Sequence, residues 1–139
     1  MRVAVVYEST RGRTKAMADA ICEGASSSGV ECVVYDAKEF PGFDGFCSVA
    51  VGSSTRMKRT LPMVKRIISE LPQLKGLPAA AYGSYGWSGE APDEIAAKLA
   101  EAGANLIESN PIKAKDYPSD SILDQCRDLG SKLASHCQK

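Results

Sequence analysis

The chain has 139 residues, a length typical of about one domain with one hydrophobic core. Apolar residues make up 44% and charged residues 24%, which excludes a disordered chain and a coiled coil and favours a compact, soluble protein. Seventeen basic residues balance seventeen acidic ones, so no net field attracts nucleic acid or an anionic membrane, and we expect neither as a partner.

Targeting and redox signals favour the cytoplasm. No apolar run approaches the ~20 residues of a membrane span, and the first residues pass directly into a strand pattern without a leader sequence. The cysteines are odd in number and widely spaced, without a C-x-x-C pair for a metal or cluster. They are Cys22, Cys32, Cys47, Cys126 and Cys137. We expect reduced structural thiols, buried except for an exposed Cys137.

Strand-type runs alternate with helical patterns along the whole chain. The runs are 2–7, 31–35, 46–51, 78–82 and 104–107. Several are continuous apolar runs, which indicates parallel strands covered by helices on both faces. With short connections and no change of composition, this order predicts one doubly wound α/β domain over residues 1–139.

Four helical patterns lie between and after these strands. The first carries an apolar stripe from Met17 and ends at Gly29. The second runs from about Pro62 to Leu71, and the third from about Ala91 to Gly103. The last covers 119–135 behind a Ser-Asp cap, and the loop 36–45 is expected to carry little regular helix.

The loop after the first strand is the strongest site signal. Its residues Ser9, Thr10, Arg11, Gly12, Arg13 and Thr14 lead directly into the first helix. Backbone N–H groups at a helix N-terminus carry a partial positive charge, so hydroxyl side chains and a glycine there predict an anion cradle.

Two further loops belong to the same edge of the sheet, because ligands bind beyond the carboxyl ends of parallel strands. Gly-Ser-Ser-Thr-Arg-Met-Lys-Arg-Thr at 52–60 follows the third strand, and Gly-Ser-Tyr-Gly-Trp-Ser-Gly-Glu at 83–90 follows the fourth. The single tryptophan of the chain, Trp87, lies in this glycine-rich loop. A flat ring there is typical of contact with a planar ligand, although packing against the loop is the alternative.

Together these segments resemble the flavodoxin family, through Tyr-x-Ser-x-x-Gly-x-Thr at 7–14, Gly-Ser-Ser-Thr at 52–55 and Gly-Ser-Tyr-Gly-Trp-Ser-Gly-Glu-Ala at 83–91. The last segment is most similar to the flavodoxin domain of flavodiiron proteins. The resemblance implies a flavodoxin-like five-stranded parallel sheet of order 2-1-3-4-5 and FMN as the cofactor. The chain has one histidine, His136, so we expect no diiron site and no other metal site within it.

The resemblance also assigns the cofactor-binding residues. It places the FMN phosphate on Ser9, Thr10, Arg11, Gly12, Arg13 and Thr14, the ribityl chain and ring edge on Ser53, Ser54, Thr55 and Arg56, and the isoalloxazine on Ser84, Tyr85, Gly86, Trp87 and Gly89. The second loop departs from the family pattern because it lacks an aromatic residue. A sandwich around the ring would therefore use Met57, or one face of the ring would stay open.

The function implied is electron transfer between redox protein partners by a monomer or weak dimer, without a catalytic residue. The alternative is an FMN-dependent NAD(P)H:quinone-type reductase, in which Arg56, Lys58 and Arg59 would hold an NADPH phosphate. A phosphoacceptor receiver domain has the same strand order but needs acidic residues where this chain has Ser9, Thr10 and Gly52. Lys113, expected after the fifth strand, is the single match to that class.

The second loop is basic, whereas familiar flavodoxins are acidic. An arginine about 8 Å from the flavin contributes on the order of 2 kcal/mol toward an anionic reduced ring at a dielectric of ~20. The hypothesis is a less reducing flavin and a partner with an acidic docking face, and the alternative is a solvated, screened loop.

Overall fold

The computed structural model describes residues 2–137. Its strands are β1 (Arg2–Glu8), β2 (Glu31–Asp36), β3 (Phe46–Ser53), β4 (Thr55–Arg56), β5 (Arg59–Thr60), β6 (Pro78–Tyr85), β7 (Asn105–Leu106) and β8 (Ile112–Lys115). Its helices are α1 (Arg13–Ser27), α2 (Pro62–Ser69), α3 (Glu90–Glu101) and α4 (Asp120–Ser135). A single 3-10 turn, Ala37–Glu39, interrupts the loop 36–45, as expected.

The main sheet is parallel, in the order β2-β1-β3-β6 with β7 and β8 both beside β6. The five predicted strands and their order are therefore confirmed. The predicted extent of the fifth strand is wrong. The range 104–107 covers only β7, and pairing with β6 continues further along the chain at β8. Ser-Asn-Pro at 109–111 causes the break, since Pro111 has no N–H to donate. Lys113 consequently lies inside β8, not after the strand.

Alternating side chains of the central strands enter two hydrophobic clusters, one on each face of the sheet. Val3 and Val5 pack with α1 and α4, while Ala4 and Val6 pack with α2 and α3. All four are fully buried, because a strand covered on both faces turns successive side chains into opposite layers. Within residues 2–137 no helix combines the length and hydropathy that a bilayer-crossing segment needs.

Helices α1 and α4 approach each other backbone to backbone. A Cβ built on Gly130 would lie 1.8 Å from the carbonyl oxygen of Ile21, and one on Gly24 would lie 1.9 Å from that of Arg127. The two glycines lie on opposite helices and each faces the other helix's main chain. Glycine is therefore required at both positions for this crossing.

The expectation of five reduced cysteines is wrong for four of them. Cys22 of α1 is bonded to Cys32 of β2, with Cα atoms 5.4 Å apart, and Cys47 of β3 is bonded to Cys137 just after α4, with Cα atoms 5.2 Å apart. Cys137 is half-buried, not exposed. Wide spacing in sequence concealed these pairs, since parallel strands and covering helices bring together residues distant along the chain. Cys126 is free and buried, and burial raises the pKa of its thiol to about 12.

Replacing a helical glycine with alanine usually stabilises a protein, but at Gly130 we expect the replacement to destabilise it. Alanine stabilises an open helix position by about 1 kcal/mol relative to glycine, but here the methyl group overlaps the Ile21 carbonyl. We expect Gly130→Ala to lower the free energy of unfolding by about 1–3 kcal/mol, measured by urea denaturation. Ser121→Ala, at an exposed position of α4, is the control and should change it by less than about 0.5 kcal/mol. Equal stability of Gly130→Ala and wild type would show that the helices can move apart freely.

Alkylation of the unfolded, unreduced protein should modify one cysteine, Cys126. After reduction, alkylation should modify all five cysteines, and mass spectrometry counts the modified residues in both cases. The Cys47–Cys137 bond spans 90 residues and the Cys22–Cys32 bond spans 10. Loop-closure entropy gives about 4.5 kcal/mol for the long loop and about 2.5 kcal/mol for the short one. The double variant Cys47→Ser/Cys137→Ser should therefore lose more stability than Cys22→Ser/Cys32→Ser. Modification of five cysteines before reduction would refute both pairs.

Candidate functional site

The candidate site lies at the carboxyl edge of the sheet, where loops from four strands meet. In the sheet, β2 lies on one side of β1 and β3 lies on the other. The direction in which successive strands are added therefore reverses between β1 and β3. Such a reversal opens a crevice beyond the strand ends, because successive connections run in opposite directions. The loops after β1, β3 and β6 line this crevice, as the sequence predicts, and the loop after β8 joins them.

A cluster of three hydroxyl groups joins the first three loops. Thr14 Oγ1 lies 2.9 Å from Ser54 Oγ and 2.8 Å from Ser84 Oγ, and the two serine oxygens are 3.3 Å apart. Thr14 and Ser84 are buried, and Ser54 is half-buried. A hydroxyl group can rotate to donate or to accept, so this cluster can turn hydrogens toward an anion placed above it.

The start of α1 is open toward the same crevice. Gly12 is the N-cap, with φ 79°, and no side chain caps the helix. Its own N–H donates to Ser9 Oγ at 2.8 Å, so the Ser9 hydroxyl shapes the loop. The N–H groups of the first turn face outward without a side-chain cap, which is the arrangement that binds phosphate.

A small cavity of ≈ 80 Å³ lies between this helix start and the neighbouring loops. It is lined by Thr10, Arg11, Arg13, Ser54, Thr55, Ser84, Tyr85 and Gly86. Two guanidinium groups, hydroxyl groups and open backbone N–H groups surround one space. Of the residues predicted to bind phosphate, Thr10, Arg11 and Arg13 line this cavity, and Ser54 and Ser84 line it with them.

The loop after β3 is a hairpin, β4–β5, which the sequence did not predict. Arg56 and Arg59 are paired across it, and the tip residues Met57 and Lys58 have φ of 50° and 63°. A two-residue turn with both φ positive usually contains asparagine or glycine, so Met-Lys gave no hairpin signal. Thr55 pairs with Tyr85 of β6, which fixes the hairpin beside the fourth-strand loop.

The hydroxyl groups of two predicted ligand residues, Ser53 and Thr55, hold this hairpin in place. The buried Ser53 hydroxyl donates to the Ser54 carbonyl at 2.8 Å and accepts from the Leu61 N–H at 3.0 Å. Thr55 Oγ1 accepts from the Ala91 N–H at 2.9 Å, which ties the hairpin to the first turn of α3. Both hydroxyl groups are engaged inside the protein, so their contribution to the site is to position the hairpin.

Met57 and Trp87 face a common pocket at the outer end of the crevice. Met57 is 86% exposed and Trp87 is 91% exposed, so neither is a packing anchor. A pocket of ≈ 440 Å³ between the hairpin tip and the loop after β6 is lined by Thr55, Met57, Lys58, Trp87 and Ser88. Its volume suits a planar heterocycle, and the apolar side chains of Met57 and Trp87 are part of its lining. Gly86 lies toward the cradle, and Gly89 packs on the Tyr85 ring as the N-cap of α3.

The loop after β8 places a further residue, Asp116, beside the cradle, which the sequence did not predict. The Asp116 N–H donates to the Tyr85 carbonyl at 2.7 Å, and its Oδ1 lies 3.6 Å from Arg13 Nη1. Tyr117, next in the chain, is 65% exposed. The signal in the sequence is the position of Asp-Tyr-Pro, which directly follows the strand adjacent to β6 and so lies at the same edge of the sheet as the other loops.

The hairpin presents unpaired positive charge. Arg56, Lys58 and Arg59 are exposed, and none of them takes part in an ion pair within residues 2–137. Beneath them, Lys65 and Thr60 donate to the Glu94 carboxylate, and the Lys65 hydrogen bond is the main cause that lowers the pKa of Glu94 below its ordinary value. This network anchors the hairpin to α2 and α3 and leaves its outer face cationic.

The flavodoxin family model matches residues 5–130. The chain belongs to the flavodoxin family. It is 35% identical to a flavodoxin from the domain Archaea whose structure superposes with a TM-score of 0.93, with 100% of each chain covered. The flavodiiron protein of Giardia intestinalis is 28% identical and gives a TM-score of 0.87 over 97% of this chain and 36% of that one.

Longer proteins also contain a similar segment. The anaerobic nitric oxide reductase flavorubredoxin of Aeromonas hydrophila is 34% identical, and the match covers 96% of this chain and 28% of that protein. The chain thus spans less than a third of the length of this relative. Family membership confirms the predicted α/β flavodoxin fold and the predicted FMN cofactor.

The residues present fit FMN. The cradle at the start of α1 combines charge and hydroxyl groups for the phosphate end, and the Met57–Trp87 pocket has room for the ring. A continuous row of lining residues joins the two, because Thr55 lines both spaces. The phosphate and the ring of one molecule can therefore occupy the two spaces together.

Strain at the hairpin tip gives a test on the apoprotein. The left-handed region is costly for any residue with a Cβ, so Lys58→Gly should raise the free energy of unfolding by about 0.5–1 kcal/mol. Arg59→Gly, one residue further on in β5, removes the same charge at an ordinary strand position and should lower it by about 0.5–1 kcal/mol. Urea denaturation of both variants measures the difference, and effects of the same sign would contradict the hairpin geometry.

Proposed function

We propose that this chain carries electrons between redox proteins through one FMN held at the carboxyl edge of its sheet, and that a partner docks with an acidic face. When bound, FMN supplies both one-electron and two-electron redox chemistry. The observation that carries the proposal is the alignment of a phosphate cradle and a ring pocket along one crevice. The protein's task is to hold the cofactor, set its potential and leave one edge accessible.

In this proposal the phosphate lies over the start of α1. Its contacts are Thr10, Arg11, Gly12, Arg13, Thr14, Ser54 and Ser84, with Ser9 shaping the loop. Arg13 is half-buried and Arg11 is exposed, so Arg13 is the better placed of the two for a fixed contact. Charge-assisted hydrogen bonds from a guanidinium group and from helix N–H groups are the strongest available for an anion of this kind.

The ring lies between Met57 and Trp87, with Tyr85, Gly86 and Gly89 shaping the inner wall. Methionine is flexible and polarisable, and sulfur–aromatic contacts are favourable, so Met57 can cover a ring face without an aromatic side chain. Trp87 covers the other face by stacking. Both side chains are largely exposed in the polypeptide alone, and the ring would remove their apolar surface from water.

The charges on the hairpin support an acidic docking face on the partner. Lys58 lines the ring pocket, and Arg56 and Arg59 lie on the same hairpin, whose tip a protein would approach to exchange electrons. A cation about 8 Å from the ring favours added negative charge by about 0.5 kcal/mol in a water-like dielectric and about 2 kcal/mol at a dielectric of ~20. The same cations would attract a partner's carboxylates and align it for electron transfer.

We place the protein in the cytoplasm as a monomer or weak dimer. The opposing observation is the pair of disulfides, since the cytoplasm normally keeps thiols reduced.

Titration of the apoprotein with FMN tests the site directly. Binding should quench flavin fluorescence with one FMN per chain, and Trp87→Ala should weaken the affinity about tenfold because it removes the stacking face. Tyr117→Ala is the matched control, since it truncates another exposed aromatic residue that does not line the ring pocket. Failure of the wild-type protein to take up FMN would refute the proposal, as would equal losses in the two variants.

The proposed docking charge can be tested with small electron acceptors of opposite charge. Oxidation of the photoreduced holoprotein by ferricyanide should slow as salt is added, and oxidation by hexaammineruthenium(III) should accelerate. Lys58→Glu should weaken both salt effects. Lys75→Glu is the control because Lys75 is also exposed, also has positive φ and lies before β6, at the opposite edge of the sheet.

Opposite salt effects for the wild-type protein would show an acidic rim and so contradict a basic docking face. Rapid flavin reduction by NADPH alone, without a protein donor, would contradict the carrier role and favour a reductase.

A further inference from the structure

The carboxylate of Asp116 lies beside the phosphate cradle. Its negative charge there opposes the binding of a phosphate dianion. Asp116 Oδ1 is 3.6 Å from Arg13 Nη1, and a Cβ built on Gly86 would lie 3.8 Å from the same oxygen. Arg13 and Gly86 both line the cradle. The carboxylate is therefore at the mouth of the cavity and holds one of its two guanidinium groups.

The backbone fixes Asp116 in this place. Its N–H donates to the Tyr85 carbonyl at 2.7 Å, and its φ of 60° turns the chain away from β8 immediately after the strand. Aspartate and asparagine tolerate this left-handed conformation better than most residues. The position of the carboxylate thus follows from main-chain geometry, and the Arg13 contact follows from that position.

We propose that Asp116 is a specificity-determining residue that shares Arg13 with the FMN phosphate and so limits the affinity of the site for phosphate. The inference rests on the proposed FMN site. An exposed pair of this kind is weak, and a guanidinium group forms stronger, bidentate contacts with a phosphate. Arg13 therefore transfers from Asp116 to the phosphate as the cofactor binds, and the carboxylate then remains close to a group carrying about −1.5 to −2 charges.

The physical consequence is selective for the phosphate group. Removing the carboxylate charge should tighten FMN binding by about three- to tenfold, the range expected for one charge about 8 Å from a phosphate in a water-like dielectric. Riboflavin has the same ring and no phosphate, so its affinity should not change. If the carboxylate served only to hold Arg13 in place, its removal would instead weaken FMN binding, because Arg13 would lose that contact.

The experiment compares wild type, Asp116→Asn and Asp124→Asn as full-chain apoproteins titrated with FMN and with riboflavin. Asp124 is a matched control: it is exposed, it pairs with Arg127 through one carboxylate oxygen, and its loss changes the net charge equally. Asp116→Gly is a second variant, since glycine also accepts positive φ and keeps the backbone donor. Thermal stabilisation by inorganic phosphate gives a readout that does not involve flavin, and it should increase in both Asp116 variants.

The expected result is tighter FMN binding in Asp116→Asn and Asp116→Gly, unchanged riboflavin binding, and no effect of Asp124→Asn. Unchanged or weaker FMN binding in the Asp116 variants would overturn the inference, as would an equal gain for riboflavin. Failure of the proposed function has a different signature, because wild type would then bind neither flavin.

Discussion

The site depends on the meeting of three hydroxyl groups, those of Thr14, Ser54 and Ser84. They come from the start of α1 and from the ends of β3 and β6, and each lies within hydrogen-bonding distance of the other two. An apolar replacement of Thr14 would remove two of the three contacts and leave the two serine oxygens with only the longest one, 3.3 Å, between them. The cluster therefore sets the relative positions of the cradle, the hairpin and the ring loop together.

Close backbone packing makes that meeting possible. A Cβ on Gly83 would lie 2.1 Å from the Ser53 carbonyl oxygen, and one on Gly52 would lie 2.3 Å from the Tyr82 ring. Tyr82 is fully buried, and its hydroxyl donates to the Val6 carbonyl at 2.7 Å. Gly52 and Gly83 thus let β3 and β6 come close enough for Ser54, directly after β3, and Ser84 to reach Thr14.

Sequence patterns predicted the helices and strands, whose apolar residues follow a regular spacing, and the glycine-containing loops of the site. Continuous apolar runs indicated the parallel strands, and Ser119 was identified as the N-cap of α4, where its hydroxyl accepts from the Ile122 N–H at 3.2 Å. The hairpin was missed because Met57 and Lys58 are not turn-forming residues. The disulfides and the Arg13–Asp116 contact were missed for another reason: each joins residues whose proximity depends on the complete fold.

The disulfides and the candidate site lie toward opposite edges of the sheet. Both disulfides join positions away from the crevice, and Cys32 and Cys47 lie near the amino ends of their strands. Three of the four non-glycine residues with positive φ in the described part of the chain, Met57, Lys58 and Asp116, lie in the loops of the site. Strain of this kind persists only where the surrounding structure holds it. A covalently tied amino edge and two closely packed helices thus accompany a carboxyl edge with costly conformations, which place a thioether, an ammonium group and a carboxylate around one crevice.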